Sequence, residues 1–233
     1  MSDYRNTVPG RFAQTSSAVQ RNRVLKNTYW LLALSLVPTV IGAGVGLFTG
    51  INQFMAASPG MSAIIFLIGA FGLMYLVEKN KDSSAGVGFL LLFTFFMGIM
   101  LSRLLGFVLG MQNGAQLIML AFGGTAAVFG AMATMASSIK SDLGNMQKWL
   151  VTGVIVILVA AIANIFLQIP ALMLTISLLA VVIFSAFLLY DLNRIIRGGE
   201  TNYISATLAV YLDLYNIFSN LLALLGIFGG NRD

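Results

Sequence analysis

The sequence lacks cysteine and histidine, and only 9% of its 233 residues are charged. Without cysteine it can form neither disulfides nor thiolate metal sites. Without histidine it lacks the side chain that titrates most easily near neutrality, so any proton chemistry must use carboxylates. A soluble domain carries about 25% charged residues. Because 58% of this chain is hydrophobic, it cannot cover itself with water-compatible groups, and lipid must be the solvent for much of it.

Charge is also distributed unevenly along the chain. Residues 27–77 and 149–190 contain no charged side chain, and residues 83–139 contain only Arg103. A helix needs about 20 residues to cross the hydrocarbon core, so each run is long enough for two crossings and a turn. We expect Arg103, near the end of a span, to extend toward the membrane interface and not to gate anything.

Turn-forming residues divide each of these runs into two, and one more apolar stretch follows Thr201. The sequence therefore predicts an all-α fold, a bundle of seven transmembrane helices. The predicted spans are 28–49, 61–77, 85–108, 115–138, 149–168, 171–193 and 203–228. Residues 1–26 are polar and are predicted to form a flexible cytoplasmic tail, followed by a single transmembrane domain over residues 27–230.

The cations predict the orientation of the bundle. Eleven of the 13 Lys and Arg residues lie in the leading segment and in alternate loops. The positive-inside rule places these segments in the cytoplasm, with the N-terminus inside and the C-terminus outside a multi-pass inner-membrane protein. The net charge of +5 is explained in this way, and no nucleic-acid partner is expected. Gly42, Gly44 and Gly46 have the small-residue spacing used in close helix packing.

Two of the eight acidic residues are not explained as solvated loop charges. Asp213 lies about ten residues, or roughly 15 Å, into the last predicted span, and Asp191 lies near the end of the span before it. Because these spans form a hairpin around residues 198–202, we expect both acids at similar depth, with their rotation left open. Asp213, Asn216 and Asn220 follow i, i+3, i+7 spacing, and such a polar stripe should face the bundle interior.

Alternatives to a paired site remain open at this stage. Arg194, three residues after Asp191, could form a surface ion pair with it, and Asp213 could be a neutral acid bonded to a backbone carbonyl. If the two carboxyl groups meet, they do not both ionise readily, so the pair holds a proton and senses pH without histidine. Fully ionised, the pair suits a hard cation such as Ca²⁺, which needs waters or carbonyls for its other ligands. Protons and Ca²⁺ then compete for Asp191 and Asp213.

The last hairpin contains three distinctive segments: residues 190–193 (Tyr-Asp-Leu-Asn), 198–203 (Gly-Gly-Glu-Thr-Asn-Tyr) and 211–218 (Tyr-Leu-Asp-Leu-Tyr-Asn-Ile-Phe). These segments resemble the C-terminal hairpin of the Bax-inhibitor-motif (TMBIM) family, and most closely its bacterial YccA-like branch. Further similar segments, spread between residues 25 and 228, are residues 25–29, 123–129, 140–144 and 164–168.

The resemblance implies a seven-helix bundle with the last helix near the centre. It also implies a Ca²⁺ leak controlled by a carboxylate dyad, carried here onto Asp191 and Asp213, and association with the membrane protease FtsH. Members of the YccA-like branch often lack one or both aspartates, so the presence of both favours the leak. The chain departs from the family in lacking the common Gly-Pro of the third helix. The family's basic residue near the second helix corresponds to either Lys79 or Lys81.

Two functions are therefore expected. The first is a pH-sensitive Ca²⁺ or cation leak channel controlled by the dyad, with Asn216, Asn220 and Arg194 in support, transient Ca²⁺ and no cofactor. The alternative is a non-conducting modulator or substrate of FtsH in membrane-protein quality control, for which residues 1–26 would serve as a handle. An enzyme is not expected, since the sequence has no HExxH or GxSxG arrangement. The sequence leaves the oligomeric state open.

Overall fold

The computed structural model describes the backbone of residues 9–229 and the side-chain environments of residues 19–229. Within this part of the chain there are eight helices and no strand. The helices are α1 (Pro9–Phe48), α2 (Ile51–Ala57), α3 (Pro59–Lys79), α4 (Ser84–Leu109), α5 (Gly114–Ser138), α6 (Gly144–Leu167), α7 (Pro170–Arg197) and α8 (Tyr203–Gly229).

Seven of the described helices, all except α2, are long and apolar enough to cross a membrane. The predicted all-α bundle of seven spans is therefore confirmed. The turns use the residues that the sequence offers for them. Pro59 and Pro170 occupy the first positions of α3 and α7, where no helical N–H bond is lost. Gly198 ends α7 with a left-handed φ of 79°, a conformation that glycine adopts without strain.

The N-terminal segment differs from the predicted flexible tail. Helix α1 begins at Pro9, so residues 9–26 continue the first span as helix, while residues 1–8 lie outside the described part. A physical reason lies in Val24, which is buried in the main core cluster, with Leu25 packed against the same cluster. These contacts anchor the helix beyond the predicted span.

The last helix lies at the centre of the bundle. Helix α8 packs on α1, α3, α4, α5 and α7, as the resemblance implied. Around it, α1 packs on α4 through glycines. A Cβ atom at Gly42 would overlap the carbonyl oxygen of Phe95, and one at Gly98 would overlap that of Thr39. Gly44, in contrast, meets nothing closer than a side-chain carbon at 4.0 Å, so the predicted packing role does not extend to it.

The bundle has two ends that differ in charge. One end is formed by the turns over residues 80–83, 139–143 and 198–202, which lie among the predicted cytoplasmic cations. We call it the basic end. The opposite end is formed by the turns around residues 49–58, 110–113 and 168–169.

Candidate functional site: a carboxyl pair and a neighbouring cavity

The two predicted acids lie on facing surfaces of the last hairpin. Asp191 is six residues before the end of α7 and Asp213 ten residues after the start of α8, so both are about 9–15 Å from the basic end. Asp213 is only 4% exposed, and Asp191 is partly buried. The structure thus places both acids inside the bundle and at similar depth.

The side-chain carboxyl groups of Asp191 and Asp213 are within hydrogen-bonding reach of each other. Carboxylate oxygens only accept hydrogen bonds, and no donor reaches the buried Oδ2 of Asp213. A proton held by one acid would supply that missing donor. The rotation that the sequence left open therefore brings the two groups together, and a shared proton satisfies the geometry.

The hairpin turn fixes this register through short local bonds. The amide of Gly199 donates to the Arg194 carbonyl (2.8 Å), which closes α7. Oε1 of Glu200 accepts from the backbone amides of Thr201 and Asn202, each at 2.9 Å. Oδ1 of Asn202 accepts from the first amides of α8 and caps that helix. These bonds give the two acids a defined relative height.

The three supporting residues that the sequence predicted, Arg194, Asn216 and Asn220, have different kinds of bonding partner. Arg194 pairs with Glu200, with Nη2 to Oε2 at 3.0 Å, and not with Asp191. The amides of Asn216 and Asn220 donate to carbonyls of their own helix, at Leu212 and Asn216 respectively. These two asparagines lie on α8 in the bundle interior, partly buried, but their amide groups bond to the helix backbone.

Two tyrosines and an asparagine near the pair were not predicted as site residues. Tyr211 lies 2.8 Å from Thr39 by their hydroxyl oxygens, and Tyr215 donates to the Met97 carbonyl at 3.2 Å. Asn193 donates to two carbonyls at the end of α5. All three residues belong to the segments that carry the family resemblance, which was the available signal. Together these bonds hold α7 and α8 against the rest of the bundle.

The two lysines considered for the family's basic residue both lie at the basic end. Lys81 forms an exposed ion pair with Glu78 (3.1 Å), and that hydrogen bond raises the pKa of Lys81 above its ordinary value. Lys79 lies over the ring of Tyr75. Neither ion pair in the described part of the chain joins a lysine to Asp191 or Asp213.

A cavity of about 880 Å³ lies on the other side of the carboxyl pair, toward the opposite end. Its lining includes Tyr215 and Asn216, which follow Asp213 by less than one helical turn. Arg103, an exposed residue, also lines this cavity, which is partly open to the outside of the bundle.

A seven-span helical bundle with a carboxyl pair inside its last hairpin defines a polytopic membrane protein with an internal acidic site. The chain belongs to the Bax-inhibitor family, since residues 21–231 match the family described as "Inhibitor of apoptosis-promoting Bax1".

Curated relatives cover nearly the whole chain. It is 39% identical over 211 residues to the "Modulator of FtsH protease YccA" of Escherichia coli strain K12, a match covering 91% of this chain and 93% of the relative. The "Inner membrane protein YccA" of Escherichia coli O6:H1 matches with the same identity and coverage. A membrane protein of Vibrio cholerae is 38% identical over 94% of this chain and 97% of its own. These names and the seven spans place the chain in the inner membrane as a multi-pass protein.

Proposed function

We propose that this chain is a pH-sensitive cation leak with Ca²⁺ as its cargo, controlled by Asp191 and Asp213, and that it is not an enzyme. The observation that carries the proposal is the contact between these two carboxyl groups inside the bundle. The cavity next to Asn216 supports it further, because it provides space for ions beside the pair. The distribution of cations favours the basic end as the cytoplasmic one, with the N-terminus inside and the C-terminus outside.

The physical basis is competition between a proton and a cation for the same oxygens. With a shared proton, the pair is joined by a hydrogen bond and has little attraction for a cation. When that proton leaves, two like charges repel in a low-dielectric site and together attract a hard divalent cation. Waters or backbone carbonyls would complete the coordination of an ion that Asp191 and Asp213 hold only in transit. The leak therefore falls as pH falls.

Ca²⁺ flux into liposomes containing the full-length protein tests this proposal. For the wild type we expect flux above that of protein-free liposomes, and we expect it to rise with pH as the pair loses its shared proton. Asp213→Asn keeps the shape of the side chain and removes the titration, so its flux should lose the pH dependence. Glu78→Gln, at an exposed acid of the basic end, is the matched control and should behave as the wild type. Flux that is flat with pH and unchanged in Asp213→Asn would contradict the proposal.

A second function, modulation of the protease FtsH or turnover by it, is favoured by the comparison with Escherichia coli. The relative that is 39% identical over 91% of this chain is named a modulator of FtsH protease. The N-terminal segment would contribute as a helix extending from the first span, at least from Pro9 onward, and not as the flexible handle that the sequence suggested.

Co-purification tests the FtsH proposal independently of ion flux. The full-length chain should enrich FtsH from solubilised membranes, and deletion of residues 1–18 should weaken this association or slow turnover of the chain. Asp213→Asn should leave the association intact, which separates the two functions. No enrichment of FtsH, together with turnover unaltered by the deletion, would count against this second function.

A further inference from the structure

The cavity beside the carboxyl pair lies between two groups of helices. Helix α3 packs on α2, α4 and α8, whereas α6 packs on α7, and the cavity fills the space between them. Its rim is formed at the opposite end of the bundle by residues such as Pro59 and Gln168. Its inner end reaches Tyr215 and Asn216. The cavity therefore extends from the opposite end toward Asp213 and stops short of it.

The lining of this cavity is mostly apolar or neutral and contains a single charge. All of its lining residues are described, and of these only Arg103 is charged; the polar remainder are amides and hydroxyls, such as those of Asn164, Asn216 and Ser219. A guanidinium keeps its charge at any assay pH. The ion pairs in the described part of the chain are Lys81–Glu78 and Arg194–Glu200, so no described acid neutralises Arg103.

We propose that this cavity is an electropositive outer vestibule, and that Arg103 restricts the entry of cations through it, divalent ions more strongly than monovalent ones. The inference rests on the proposed function for the cation path and its orientation. It assigns to Arg103 the role of a selectivity residue, in place of the interfacial arginine that the sequence suggested.

The reason is electrostatic. Low-dielectric walls focus the field of a charge within a cleft, so a lone guanidinium raises the local concentration of anions and lowers that of cations. The energy of an ion in a given potential is proportional to its charge. The factor by which Arg103 excludes Ca²⁺ should therefore be close to the square of the factor for Na⁺. A side chain that merely narrowed the opening would not follow this relation.

Flux measurements on Arg103 variants test the inference directly. In liposomes containing the full-length protein, Arg103→Gln should raise Ca²⁺ influx about tenfold and Na⁺ influx about threefold. Arg103→Lys, which keeps the charge in a different shape, should stay within about twofold of the wild type. An unchanged Ca²⁺ influx in Arg103→Gln, or equal increases for the two ions, would overturn the proposal.

Relocating the charge provides a matched control within the same cavity. Met173 lines the cavity on α7 and is 43% exposed, and its unbranched side chain resembles lysine in length. The double variant Arg103→Gln, Met173→Lys should return the fluxes of both ions toward wild-type values. If the double variant keeps the high flux of Arg103→Gln, charge in the cavity is not what limits entry.

A second experiment measures the vestibule without relying on flux. Because the chain has no cysteine, Ser219→Cys introduces a single thiol on the cavity wall. Its rate of modification by an anionic methanethiosulfonate (sulfonatoethyl) is compared with that by a cationic one (trimethylammonioethyl). Thr49→Cys, an exposed turn residue at the same end, provides the reference ratio.

The anionic-to-cationic ratio at Ser219→Cys should exceed that at Thr49→Cys by about fivefold or more. Adding Arg103→Gln should bring it down to the reference value. A ratio equal to the reference with Arg103 present, or no modification by either reagent, would overturn the vestibule. If wild-type flux does not exceed that of empty liposomes, or is flat with pH and unchanged in Asp213→Asn, the proposed leak fails. Thiol modification alone then decides whether the vestibule is electropositive.

Discussion

The hydroxyl oxygen of Tyr211 lies 2.8 Å from Oγ1 of Thr39 and joins the last helix to the first, two residues before Asp213. The Thr39 hydroxyl also lies 2.8 Å from the Ser35 carbonyl oxygen, and the Tyr211 hydroxyl lies 3.5 Å from the Thr94 carbonyl oxygen. Tyr211→Phe keeps the ring, which packs edge-on against Phe93, and removes the hydroxyl contacts with Thr39 and Thr94. We expect a loss of about 1 kcal/mol in the free energy of unfolding, measured by titration with SDS.

A double-mutant cycle separates the bond between Tyr211 and Thr39 from the other effects of Tyr211→Phe. Tyr211→Phe and Thr39→Val should together cost less than the sum of the two single changes, with a coupling of about 0.5–1 kcal/mol. Strictly additive losses would show that the two hydroxyl groups do not interact in the membrane.

The contact between α1 and α4 predicts a sharp difference between two glycines. Gly98→Ala places a methyl group on the Thr39 carbonyl oxygen, and we expect a loss of about 1–3 kcal/mol in the free energy of unfolding. Gly44→Ala, with its nearest atom at 4.0 Å, should be neutral or slightly stabilising because alanine favours the helix. Similar unfolding curves for the two variants would contradict the close approach of α1 and α4 at Gly98.

The hairpin turn should depend on Asn202 more than on the residue before it. The side-chain nitrogen Nδ2 of Asn202 donates to the Lys81 carbonyl (3.0 Å) and to Oδ1 of Asp82 (2.9 Å). The side-chain oxygen of Asn202 caps α8. Asn202→Ala removes all of these bonds and should lower the free energy of unfolding by about 1–2 kcal/mol. Thr201→Ala, at an exposed position, should have little effect. Equal losses in the two variants would argue against the cap.

Arg194 and Glu200 should act on the carboxyl pair only from a distance. Their ion pair is partly exposed, so Arg194→Gln should change the free energy of unfolding by less than about 1 kcal/mol. The positive charge of Arg194 favours the ionised form of Asp191 and the negative charge of Glu200 opposes it. The midpoint of the pH dependence of Ca²⁺ flux should therefore move to higher pH in Arg194→Gln and to lower pH in Glu200→Gln. Shifts in the same direction in both variants would contradict this arrangement.

Much of the architecture could be predicted from the sequence because charge is so costly in lipid. The uncharged runs gave the seven spans, and Pro59, Pro170 and Gly198 lie where the chain turns. The short helix α2 and the long start of α1 were missed. No charge or turn pattern in the sequence distinguishes a short interfacial helix such as α2 from a loop. The same is true of the polar continuation of a span at the start of α1.

The carboxyl pair could be predicted only in part. Hairpin symmetry gave the matched depth of Asp191 and Asp213, but in helices that are apolar on most faces the periodicity does not determine rotation about the helix axis. The partner of Arg194 could not be predicted, because Glu200 folds back from a turn, which no helical spacing describes. The cavity lined by Arg103 depends on which helices fail to pack together, and no local pattern carries that information.

The infrared difference spectrum of the purified protein on addition of Ca²⁺ tests the central claim most directly. The claim is that Asp191 and Asp213 share a proton that Ca²⁺ displaces. The wild type should show the carbonyl stretching band of a protonated carboxylic acid near neutral pH, and Ca²⁺ should remove it. The double variant Asp191→Asn, Asp213→Asn should have neither the band nor the response. A wild-type protein without the band, or with a band that Ca²⁺ leaves unchanged, would contradict the account.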